Sequence, residues 1–78
     1  MSIYEILSTL DKKKNSGLEI TKRKGMLTST WIILKRGNHY YYFDVNEEIV
    51  LDDNHRYSRD ELEKEFEFSH FAIDFEME

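Results

Sequence analysis

A chain of 78 residues with 40% hydrophobic and 14% aromatic side chains can form one small domain, burying about 60% of its unfolded surface. It has no cysteine, which excludes disulfides and thiolate–zinc sites, and no apolar run approaches the ~20 residues that span a bilayer. The formal charge of −5 is unevenly spread: residues 1–43 carry eight Lys or Arg against three Asp or Glu, whereas residues 44–78 carry three against thirteen.

Ser2 and Glu5 have the spacing of a capping box, and Ile3, Ile6, Leu7 and Leu10 recur at helical intervals. A first helix is expected from residue 3 to about 14, with Lys12, Lys13 and Lys14 in its last turn and Asn15-Ser16-Gly17 as its stop. Residues 18–24 alternate apolar and polar and read as a strand, with Gly25 a turn or bulge. Residues 27–35, rich in β-branched and aromatic types, read as a second strand. Arg36-Gly37-Asn38-His39 is expected as a hairpin loop, Tyr40–Val45 as a third strand and Glu48–Leu51 as a short fourth, closed by Asp52-Asp53-Asn54.

Ser58 and Glu61 make a second capping box, with Leu62 and Phe66 on one face of a helix over about 59–66. Phe71, Ile73, Phe75 and Met77 then alternate with Ala72, Asp74 and Glu76 in a last strand. The order αββββαβ gives an α+β fold, a mostly antiparallel four- to five-stranded sheet with two short helices on one face. If the alternating tail residues form one apolar row against the first helix, the row is core and a monomer is expected over a C2 dimer. Asp74, Glu76 and Glu78 then blunt the sheet edge.

No catalytic set is visible. His39, His55 and His70 stand singly, without paired zinc spacing, and the chain holds no P-loop and no GxSxG. Asp52-x-Asn54 followed by Glu63 imitates a calcium-loop frame, but Tyr57 stands where the turn needs Gly. A non-enzymatic protein without cofactor or metal is expected. The acidic residues Glu47, Glu48, Asp52, Asp53, Asp60, Glu61, Glu63 and Glu65 read either as a solubilising surface or as an array that imitates nucleic-acid phosphates and occupies a basic groove. A competing set, Lys22, Arg23, Lys24 and Arg36 with Trp31 or Tyr41 as stacking rings, suits an anionic nucleotide held by a small oligomer. Tyr40-Tyr41-Tyr42-Phe43 beside Arg36 and His39 also suits single-stranded nucleic acid.

Three short segments, Tyr4-Glu5-Ile6-Leu7-Ser8-Thr9-Leu10-Asp11-Lys12, Arg23-Lys24-Gly25-Met26 and Trp31-Ile32-Ile33-Leu34, together resemble small phage-encoded anti-defence proteins of the Thoeris-antagonist kind, one of which has been described as an anti-CRISPR. In that family Trp stands where this chain has Met26. Asp60-Glu61-Leu62 and Phe66-Glu67-Phe68 are a loose echo of the family's C-terminal end. The resemblance implies a small phage or prophage accessory protein. The resulting expectation is an inhibitor in the host cytoplasm that binds a host protein with a basic groove through its acidic C-terminal half, with no membrane partner.

Overall fold

The computed structural model describes residues 1–77 and, of Lys24, the backbone alone; the Lys24 side chain and Glu78 lie outside the described residues. The elements are α1 (Ile3–Leu10), β1 (Asn15–Lys24), β2 (Leu27–Arg36), β3 (His39–Asp44), β4 (Arg56–Tyr57), α2 (Arg59–Glu65) and β5 (His70–Met77). The strands form one antiparallel sheet in the order β4-β3-β2-β1-β5. The α+β class and the order αββββαβ hold.

Both capping boxes form. Ser2 Oγ accepts the Glu5 N–H at 3.3 Å and the Glu5 carboxylate accepts the Ser2 N–H at 3.2 Å. Ser58 and Glu61 repeat the exchange at 3.1 and 3.0 Å. The expected end of α1 does not hold: the helix stops at Leu10, and Lys12–Lys14 lie in the connection to β1. Ser16 Oγ donates to the Leu10 carbonyl at 2.8 Å, and Asn15, Ser16 and Gly17 join the sheet opposite Arg36, Lys35 and Leu34. The ten-residue ladder with β2 therefore claims residues that helix-stop rules assign to a loop. A Cβ on Gly17 would sit 2.6 Å from Leu34 Cδ2 and 2.7 Å from Met77 Cγ, so the missing side chain lets three strands close over it. Gly25 and Gly37 hold the left-handed φ values of 63° and 61° that the two hairpin turns require.

The core lies between the helices and one face of the sheet. Ile3, Ile6, Leu7 and Leu10 of α1, with Leu62 and Phe66, pack on Leu18, Ile20, Ile33, Tyr40, Tyr42 and Phe71. The opposite face is also apolar at its centre, where Ile32, Leu34, Tyr41 and Phe43 cluster with Met77. Tyr40–Phe43 is therefore buried along its whole length, two rings to each side.

The fourth strand is not Glu48–Leu51, as the sequence led us to expect, but Arg56–Tyr57. Asp44 Oδ1 accepts the Asn46 N–H and Glu47 Oε1 accepts the Asp44 N–H, a side-chain-bonded turn that ends β3. The free edge of β3 is then taken by His55, whose carbonyl accepts the Tyr42 N–H at 3.1 Å, and by Arg56 and Tyr57, which pair with Tyr41 and Tyr40.

The expected single apolar row in β5 is corrected too. The β1–β5 register shifts between Glu19 and Ile20. This irregularity breaks the two-residue alternation, because one residue of slip sends every later side chain to the other face. Phe71 and Ile73 face the helices, while Met77 joins the opposite cluster. Phe75, register partner of Glu19, is 51% exposed.

Asp11, the C-cap of α1, ties the elements together. Its carboxylate accepts from Lys35 Nζ at 2.9 Å, from the Tyr40 hydroxyl and from Arg59 Nη1, and thereby joins α1, β2, β3 and α2. Burial alone would raise the Asp11 carboxyl, but the donors overcome it and hold it below its ordinary value. Asp11→Ala leaves two cations and a phenol without their shared acceptor. It is expected to cost about 1–2 kcal/mol, since the site is partly solvated, read as a lower urea midpoint with an unchanged slope.

Candidate interaction surface

Residues 45–54 leave the sheet after β3 and return at His55. The segment Glu47-Glu48-Ile49-Val50-Leu51-Asp52-Asp53 carries four carboxylates and no cation. Ile49, Val50 and Leu51 are 48%, 42% and 50% exposed. Three consecutive large apolar side chains in contact with water forgo burial energy of roughly 25 cal/mol per Å².

His55 closes this loop. Its ring stacks on Phe43 with centroids 4.8 Å apart and planes at 22°. Nδ1 lies 2.8 Å from Asp52 Oδ1, and Nε2 lies 2.9 Å from Glu47 Oε2. One imidazole thus brackets both ends of the tip, and neither ring nitrogen is left for a metal or a substrate. The hydrogen bond with Asp52, then that with Glu47, raises the affinity of His55 for its proton. Glu47 is lowered first by the backbone N–H of Asp44 and then by His55, and Asp52 is lowered chiefly by His55.

These directions set a pH window. A raised histidine contributes fully below its ordinary value of 6.5, and its contribution is lost as pH rises through the higher folded value. Lowered carboxylates contribute above their ordinary values of 3.8 and 4.5 and lose that contribution as pH falls. The bracket is therefore tightest between pH 4.5 and 6.5. Limited proteolysis at residues 48–51, normalised to the pH profile of the protease, should be slowest in that window and faster as pH rises above it. A flat profile counts against the bracket.

The other acidic candidates follow β4. Asp60, Glu61 and Glu65 are exposed on α2, and Glu63 is half-buried. Several are occupied within the chain: Glu61 caps α2, Glu63 lies 3.4 Å from Arg59 Nε, and Asp53 lies 2.8 Å from Arg56 Nη2. Glu48, Asp60 and Glu65 have no ion-pair partner among the described residues. The two acidic segments precede and follow β4, an edge strand of the sheet.

The alternative anion-binding set is divided by the sheet. Lys22 and Trp31 come together on the helix-covered face, where Lys22 Nζ stands 5.0 Å from the Trp31 ring centroid. Tyr41 is buried in the opposite cluster, and Arg36 Nη1 is spent on the carbonyls of Ser16 and Lys35. Arg23 pairs in register with Thr28 and His70, on the face opposite Lys22. Within one copy of the chain, the described side chains of this set do not share one face of the sheet; the Lys24 side chain lies outside the described residues.

The sequence reading missed His55 and the exposed apolar tip, although the bracketed pattern of the tip was visible in the residues. Among the described residues no helix is long and apolar enough to cross a membrane, and no cluster of three or more His, Asp or Glu is placed to hold a metal. Comparison with protein-family models, with curated proteins and with solved structures yields no match.

Proposed function

We propose that this chain is a non-catalytic binding protein that docks its acidic β4 edge onto a basic surface of a host macromolecule, as an inhibitory accessory protein of phage or prophage type. The observation that carries the reading is the Ile49-Val50-Leu51 tip, held out between Glu47/Glu48 and Asp52/Asp53 by His55. The acids steer the encounter and reject real nucleic acid, while the apolar residues supply area that becomes buried only in the complex. The exposed acids of α2 follow β4 directly in the chain and add to the same charge.

The test is capture with the tagged chain from lysate of the organism that carries the gene, in low and high salt. A basic protein retained at low salt, released as salt rises, and lost when Glu48, Asp60 and Glu65 are reversed to Lys supports the reading. Exposed charges are screened within about 8 Å at physiological ionic strength, so the salt response should be steep. Capture that ignores both salt and charge reversal, or no capture at all, overturns it.

A further inference from the structure

A second feature lies apart from the acidic tip, on the helix-covered face. An open groove of about 680 Å³ runs past the end of α2 and is lined by Lys22, Trp31, Tyr42, Lys64 and Phe66 together with the carboxylates Glu61 and Glu65. Tyr42 contacts both Trp31, stacked at 4.6 Å and 23°, and Phe66, tilted at 4.8 Å and 34°. Lys22 Nζ sits over Trp31 and Phe66, 5.0 Å and 5.1 Å from their centroids. No carboxylate of the described residues pairs with it.

Trp31 Nε1 and the Tyr42 hydroxyl are buried and have no hydrogen-bond partner among the described residues. Buried polar groups are satisfied in the great majority of folded proteins, so two orphans on neighbouring rings of one groove require an account. An indole N–H and an ammonium can only donate. Burial, the largest cause, pushes the Tyr42 phenol well above its ordinary value, so it remains an O–H donor at any physiological pH. The groove therefore offers two buried donors, Trp31 and Tyr42, and two ammoniums, Lys22 and Lys64. Of its two carboxylates, Glu61 already accepts the Ser58 N–H, and Glu65 is offset by the second ammonium.

We infer that this groove binds a planar aromatic anion. The ring of the ligand takes the place that the Lys22 ammonium now holds against Trp31 and Phe66. Lys22 turns outward to pair with the anionic group, and a ligand oxygen accepts from Trp31 Nε1–H and the Tyr42 hydroxyl. An ammonium over aromatic faces exchanges readily for a stacked ring, because both use the same π surface. Lys22 is a long, flexible side chain, so the lid moves without disturbing the sheet.

Trp31 is the single tryptophan, so its indole N–H gives one resonance in a ¹H–¹⁵N spectrum. The full chain is titrated with 1-naphthoate, with 1-naphthyl phosphate and with neutral 1-naphthamide. A saturable downfield shift of that resonance is expected with at least one anion, with the amide binding about ten-fold more weakly for want of the charge-assisted contact. The tighter of the two anions identifies the acceptor as carboxylate or phosphate. Lys22→Met should erase the preference of anion over amide. Should that variant not fold, the comparison on the unaltered chain decides alone. No saturable shift with either anion, or an amide that binds as tightly, overturns the inference. The groove does not include the Ile49–Leu51 tip, so either reading can fail without the other.

Discussion

Phe71→Ala is expected to cost about 3–5 kcal/mol, whereas Phe75→Ala, four positions along the same strand, should cost less than about 1 kcal/mol. Phe71 is 4% exposed and meets Phe66 edge-to-face with centroids 5.9 Å apart. Its backbone is equally committed: its N–H donates to the Met1 carbonyl at 2.7 Å, and its carbonyl accepts from the Met1 ammonium at 2.6 Å. Phe75 faces the other way at 51% exposed, because the β1–β5 register shifts between Glu19 and Ile20. A domain of this size has on the order of 4–12 kcal/mol of stability in total. The first substitution therefore leaves it marginal or unfolded at 37 °C, while the second is nearly silent. Urea unfolding of the two variants checks this. Equal costs would mean that the tail forms one apolar row and that the register shift is absent. For the same reason, removal of residues 71–78 should abolish the cooperative transition rather than dissociate a dimer.

Ile49, Val50 and Leu51 changed together to Ser should weaken capture of the basic partner about 100-fold, with a lowered but still cooperative melt. Each side chain is about half exposed, so docking can bury roughly half of the 1.5–3 kcal/mol that full burial is worth, or about 1 kcal/mol apiece. Three such terms give about 3 kcal/mol, which is roughly two decades in affinity. The half of each side chain already buried in the unbound chain is lost as well, so by the same bookkeeping the free variant loses up to about 3 kcal/mol and is compared below its melting temperature. The experiment pairs the dissociation rate of the captured complex with a thermal melt of the free variant. Unchanged affinity would place the contact elsewhere on the acidic edge. A collapsed melt would show the tip to be core, contrary to its exposure. Charge reversal at Glu48, Asp60 and Glu65 should instead act mainly on association rate and salt dependence.

The two helices were legible because their signals are local. A capping box and an apolar stripe act within a few residues, and Ser2/Glu5 with Ile3–Leu10 and Ser58/Glu61 with Leu62 meet no competing demand from the rest of the chain. The hairpins around Gly25 and Gly37 were legible for the same reason, since only the turn decides the φ value. The errors arose where a distant partner outbid a local preference. Asn15–Gly17 reads as a helix stop but finds a ladder opposite Leu34–Arg36. Glu48–Leu51 has strand composition but loses the β3 edge to Arg56 and Tyr57, because His55 stacks on Phe43 and holds the returning chain there.

The candidate sites divide along the same line. The sequence by itself determined the class of fold, the order of its elements and the segregation of charge between the two halves of the chain. Only the tertiary structure decided that the eight acidic candidates are unequal. Glu47 and Asp52 are held by His55, Asp53 by Arg56, and Glu63 lies against Arg59, while Glu48, Asp60 and Glu65 have no such cation among the described residues. It also decided that Lys22 and Trp31 share a groove from which Tyr41 and Arg36 are excluded. The physical reason is that charge and propensity belong to single residues and can be read one at a time. Pairing, exposure and the face of a strand belong to register, which a slip of one residue in β5 inverts.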